Sequence, residues 1–94
     1  MHPASRRAVD LTVTGRVQGV SFRAYAEQEA ARVGVTGWVR NEPDGTVTAH
    51  AEGPPEAVAA FVRWCHEGPS WARVERVDVR EAADVGATSF RVRS

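Results

Sequence analysis

"VDLTVTGRVQGVSFRAYAEQEAARVG" occupies residues 9–34, and its reading decides the fold. Val9, Leu11 and Val13 alternate with Asp10, Thr12 and Thr14, the period of a strand with one buried face. Gly15 and Gly19 then break the alternation. After them Phe22, Ala26, Ala30 and Val33 recur near helical spacing, and Gly34 is a natural stop. The segment is therefore strand, glycine loop, helix, with Arg23 in the first helical turn. A helix N-terminus carries unpaired N–H groups and partial positive charge. Glycines before it let the backbone curl into a nest of donors, and an arginine adds a planar fork suited to phosphate oxygens. Two readings follow: an anion site, or a tight turn followed by a solvated arginine.

Working outward, "VTGWVRNE" (residues 35–42) and "TVTAHAE" (residues 46–52) read as two strands joined by a turn at "PDG". Gly53 and two prolines introduce a second helix, in which Val58, Phe61, Val62 and Cys65 fall at i, i+3, i+4 and i+7. "RVERVDVR" (residues 73–80) is a fourth strand, and "TSFRVR" (residues 88–93) alternates Phe90 and Val92 with Arg91 and Arg93. The order β-α-β-β-α-β plus a final strand predicts an α+β, ferredoxin-like sandwich. Its sheet is antiparallel with an additional short C-terminal strand, and both helices lie on one face. Asp10, Thr12, Thr48 and His50 are then expected to face water. In this topology the first two strands run parallel with the third between them. The glycine loop and, from the second strand, Arg40, Asn41 and the PDG turn therefore leave the same sheet edge, about two spacings of ~4.8 Å apart. Residues 1–7 read as a flexible tail and residues 8–94 as a single domain.

The 94 residues suffice for one small core, and 26% charged residues is ordinary for a globular chain. Twelve basic residues balance twelve acidic ones, which argues against a broad nucleic-acid surface. All the basic residues are arginine, a bias that genome composition explains without function. One cysteine, Cys65, excludes an intrachain disulfide. No apolar run approaches a membrane span, and the first residues lack the apolar core of a signal peptide. A cytoplasmic protein is the expectation.

"VTGRVQGVSFR" (residues 13–23) resembles the first signature of the acylphosphatases, and "GWVRNEPDGTVTAHAEG" (residues 37–53) resembles the second. "GPSWARVERV" (residues 68–77) is similar to a third stretch of that family. The similarity covers roughly residues 8–93. It implies hydrolysis of acyl phosphates to a carboxylate and inorganic phosphate, with no metal or other cofactor. It implies that the loop of Arg16, Val17, Gln18, Gly19 and Val20 cradles the phosphate through backbone N–H groups. Arg23 would hold the phosphate oxygens, and Asn41 would position the attacking water. The partners implied are a small acyl phosphate and inorganic phosphate, the latter as product and competitor. No nucleic acid or membrane is implied, and the family's small members suggest a monomer. The chemistry suits the residues: a carboxylate leaves readily, since its conjugate acid has a pKa of ~4. Phosphoryl transfer mostly requires positioning and stabilised charge.

Other residues carry blander readings. Gln18 is expected to brace the loop, Ser21 to cap the first helix, and Phe22 and Trp38 to sit in the core. Arg16 and Arg40 flank the site and either steer anions or are solvated. His50 reads as an exposed sheet residue rather than a base or ligand. His2, His66 and Cys65 have no metal-ligand spacing. Trp64 and Trp71 receive no position from the sequence. An RNA-recognition module shares the element order but needs aromatics on the first and third strands. "VDLTVT" and "TVTAHAE" have none. A regulatory domain that binds anions without turnover needs the arginine but has little use for a water-orienting amide opposite. A phosphorylated carboxylate on a protein remains open as substrate.

Overall fold

The computed structural model describes residues 5–94. Seven elements follow in order: β1 (Arg7–Arg16), α1 (Phe22–Val33), β2 (Thr36–Asn41), β3 (Val47–Gly53), α2 (Pro55–Glu67), β4 (Arg73–Glu81) and β5 (Phe90–Arg93). β1 begins within the stretch read as a tail, since Arg7 already pairs with Gly53. Ser5 and Arg6 are described and precede the strand, and residues 1–4 of that tail lie outside the described residues.

The sheet order is β4-β1-β3-β2-β5. β1 pairs antiparallel with β3 and β4, and β3 pairs antiparallel with β2. β5 departs from the antiparallel expectation and joins β2 in parallel, Gly37 opposite Phe90. The reason is topological. β4 and β5 are opposite edges of the sheet, so residues 82–89 must cross the end of three intervening strands before β5 starts back. They cross beside the end of β3, where the Val85 and Ala87 N–H groups donate to Glu52 at 2.9 and 2.8 Å.

The alternation in β1 points Val9, Leu11 and Val13 at the helices, together with Val39, Val47, Ala49 and Ala51. α1 contributes Phe22, Ala26 and Ala30; α2 contributes Ala57, Val58, Phe61 and Cys65. Phe61 is fully buried and meets Phe90 at a centroid distance of 5.3 Å, tying α2 to the last strand. Trp64 packs on Phe22 at 5.1 Å, so it closes the core where α1 begins.

The opposite face of the sheet corrects two expectations. Trp38 is half-buried there rather than in the core, with the Arg40 and Arg93 guanidinium carbons 5.5 and 5.2 Å from its ring. His50 is 4% exposed, not open to water. Trp38 stacks on it at 6.4 Å, and the crossing segment is anchored next to it. Its Nδ1 lies 2.8 Å from Asp10 Oδ1 and its Nε2 lies 2.6 Å from Glu52 Oε2. A protonated ring donates from both nitrogens and so can serve both carboxyl groups at once. Burial alone would push the His50 pKa down, but the hydrogen bonds to Asp10 and Glu52 together outweigh it and raise it.

Candidate active site

The C-terminal ends of β1, β2 and β5 lie at one edge of the sheet, with the start of α1 beside them. β1 reaches this edge through a bulge between Thr14 and Gly15. Gly15 has φ 133°, and a Cβ there would fall on the Arg73 carbonyl, so only glycine lets β4 lie this close. The chain then turns through Gly19 (φ 74°) and Ser21 (φ 64°), both left-handed, into α1. Among the described residues Ser21 is the one non-glycine with positive φ. That conformation is incompatible with the extended backbone of a capping serine, and its side chain makes no capping bond, contrary to the sequence expectation. A left-handed serine costs roughly 1 kcal/mol.

The outcome is a run of free donors. The first helical bond of α1 is Tyr25 N–H to Ser21 O at 3.1 Å. No N–H of residues 17–21 donates a hydrogen bond among the described residues. Alternating backbone hands in such a loop aim successive N–H groups toward one concavity. Gln18 holds the loop in place, the brace expected of it. Its Nε2 donates to the carbonyls of Glu42 and Thr46 at 2.8 and 2.9 Å. The loop after β1 is thereby tied to the β2–β3 turn. That turn is built by Asp44, whose Oδ1 accepts from the Thr46 N–H and hydroxyl at 3.0 and 2.7 Å.

A cavity of about 480 Å³ opens against this loop, lined by Val17, Gly19, Ser21, Phe22, Arg23 and Asn41, with Ala24, Glu27 and Val92 at its sides. Two residues distant in sequence, Arg23 at the start of α1 and Asn41 at the end of β2, thus face one space. Arg23 is half-buried and donates from one terminal nitrogen to the Arg93 carbonyl at 2.9 Å. That bond fixes the guanidinium by the backbone of β5 and leaves its other donors for the cavity. Nothing in the residue pattern marks β5 as part of the site; its Val92 and Arg93 reach it only through the parallel pairing with β2.

Not every residue read as part of the loop meets this cavity. Arg16 and Val20 line a neighbouring hollow with Trp71, and Gln18 acts through the brace just described. Arg40, read as flanking, lies on the sheet face, where its Nε donates to Glu42 Oε2 at 2.7 Å. Thr48 and Arg40 hold the Glu42 carboxyl below its usual pKa. Cys65 is buried, and burial pushes its thiol pKa far up, so it is no nucleophile. No cluster of three or more His, Cys, Asp or Glu with metal-binding geometry occurs among the described residues.

The acylphosphatase family model matches residues 9–92. The chain belongs to the acylphosphatase family. It is 73% identical over 88 residues to an acylphosphatase of Nocardioides sp., covering 94% of this chain and 89% of the relative. An acylphosphatase of Anaeromyxobacter dehalogenans is 53% identical over 91 residues, covering 94% and 98%. Among solved structures, the acylphosphatase from Bacillus subtilis superposes with a TM-score of 0.91 at 35% identity, covering 94% of this chain and 99% of that one. The ferredoxin-like arrangement is thus the family's, and the three stretches that resemble it, residues 13–23, 37–53 and 68–77, fall inside the matched region.

Proposed function

We propose that the protein is an acyl-phosphate hydrolase whose active site is the cavity between residues 17–23 and Asn41. One observation carries the reading: a loop of free N–H donors, a fixed arginine and a lone amide converge on one cavity in a chain of this family. The loop from Arg16 to Val20 surrounds the phosphate, with free backbone N–H groups from Val17 onward. Arg23 adds charged donors to the equatorial oxygens, where negative charge resides in the transition state. The Asn41 carbonyl accepts from a water and aims it in line with the bond to be broken. The water oxygen bonds to phosphorus as the bond from phosphorus to the acyl oxygen breaks. The carboxylate departs with that electron pair and needs no proton. The water's proton passes to a phosphate oxygen, leaving inorganic phosphate. Neither step requires a metal or a strong base, and Asn41 is not one.

The reading extends to a cytoplasmic monomer with a dissolved substrate and no nucleic-acid or membrane partner. The balance of twelve basic and twelve acidic residues supports the first exclusion. Trp38 is on β2, leaving the open faces of β1 and β3 without the aromatics an RNA reader needs. No described helix is long and apolar enough to cross a membrane.

The test is hydrolysis of benzoyl phosphate, followed by ultraviolet absorbance with chelator present and inorganic phosphate as competitor. Turnover that chelator leaves unchanged and phosphate inhibits supports the assignment. Phosphate binding without turnover would replace it with a binding domain. A rate lost in chelator and restored by Mg²⁺ would reveal a metal requirement.

A further inference from the structure

Trp71 is 79% exposed, an unusual state for the residue type with the largest apolar surface. Its position follows from strand pairing. β4 runs antiparallel to β1 with Arg73 opposite Arg16, so the turn that precedes β4 lies against the loop that leaves β1. The turn is fixed. The Gly68 N–H donates to the Trp64 carbonyl at 2.7 Å, and the Ala72 N–H donates to the Pro69 carbonyl at 2.9 Å. Gly68 itself is packed so closely that a Cβ would stand 3.2 Å from Phe22, Ala72 and Val74. Trp71 is therefore held out by a rigid turn.

Beside it lies a hollow of about 440 Å³, lined by Arg16, Gly19, Val20, Ser21 and Trp71. Gly19 and Ser21 also line the cavity of Arg23 and Asn41, so the two spaces share a rim. Gly19 leaves that rim without a side chain, and a Cβ there would meet no atom within 4 Å.

We propose that this hollow is the subsite for the acyl group, and that Trp71 makes it selective for aromatic and large apolar acyl phosphates. The inference rests on the reading of the first cavity as the phosphate site. In an acyl phosphate a single bridging oxygen separates phosphorus from the carbonyl carbon. A phosphate seated over the loop can therefore send its carbon skeleton across the rim that the two spaces share at Gly19 and Ser21. Beyond the rim Val20 and the indole offer apolar surface, and an aromatic ring stacks on an indole in offset or edge-on geometry. The Arg16 guanidinium supplies a second planar surface on the same hollow. A short acyl group such as acetyl ends near the rim and gains little from Trp71.

The experiment compares kcat and KM for benzoyl phosphate and acetyl phosphate in the native protein, Trp71→Ala and Trp71→Phe. Binding that is equal in ground and transition states appears in KM. Trp71→Ala is expected to lower the benzoyl-to-acetyl ratio of kcat/KM about tenfold, through the KM for benzoyl phosphate. Trp71→Phe is expected to restore most of it. An unchanged ratio in Trp71→Ala would overturn the subsite while the hydrolase reading stands. A native protein that turns over neither compound would overturn the phosphate site and the subsite with it. Acetyl phosphate turnover by the alanine variant reports that it has folded.

Discussion

The two ends of the sheet use polar groups in opposite ways. At the end where β3 finishes, Glu52 is fully buried and saturated. It accepts from His50, from Val85 and from Ala87, and Arg6 stands 3.7 Å away. Arg6 also pairs with Asp84, whose carboxyl is held down at about 2 by that bond and by the Gly86 N–H. At the end where β1 and β2 finish, the N–H groups of residues 17–21 are unpaired, Ser21 is strained, and the arginine has one protein partner. The same donors and acceptors make structure where they satisfy one another and a binding site where they are left free. The crossing segment links the two ends: Glu52 anchors it at one, and β5, which it feeds, holds Arg23 at the other.

The comparison breaks most sharply at Arg23. Arg23→Gln is expected to lower kcat/KM by at least about a thousandfold, because a charged donor at developing charge is lost. Thermal unfolding should change little, since the half-buried side chain gives up one bond to a carbonyl. Normal activity in the folded variant would mean that the free end of the sheet is not the site. The largest stability effect belongs to the saturated end. Glu52→Ala leaves the buried His50 ring and two N–H groups without their acceptor, and should cost about 3–5 kcal/mol in urea unfolding. A cost below ~1 kcal/mol would show that the crossing segment does not depend on this carboxylate.

Asn41→Ala sharpens the division of labour within the site. It is expected to lower kcat about a hundredfold while inorganic phosphate inhibits as before. Lost phosphate inhibition with a high residual rate would reverse the roles given to Asn41 and Arg23.

The smallest effect is the pH dependence of stability at the saturated end. His50 has its pKa raised in the folded protein. Its contribution is therefore complete below the unfolded value of ~6.5 and is lost as pH rises through the folded value. His50→Gln should remove that alkaline decline from a series of thermal unfolding curves. Asp84, with its depressed value, acts in the opposite sense: its contribution is present above ~3.9 and is lost as pH falls toward about 2.

Local pattern determined much of this protein. The alternation of Val9, Leu11 and Val13, the i, i+3, i+4, i+7 set of α2 and the punctuating glycines gave the element order, and that order implied which strand ends meet. Gln18 was expected as a brace, but its two acceptors, the Glu42 and Thr46 carbonyls, came only with the fold. Position in the first helical turn singled out Arg23, the motif resemblance gave Asn41 its role, and the fold brings both to one cavity. Burial was not legible. His50 sits at a position that alternation assigns to water, and it is covered because residues 82–89 cross that end of the sheet, a path set by which edges β4 and β5 occupy. Trp71 and the Arg93 carbonyl reach the site for the same kind of reason: β4 pairs with β1 and β5 with β2. Periodicity is a property of neighbours along the chain and is written in the sequence. Adjacency between edge strands depends on where the whole sheet closes, and only the folded structure holds that information.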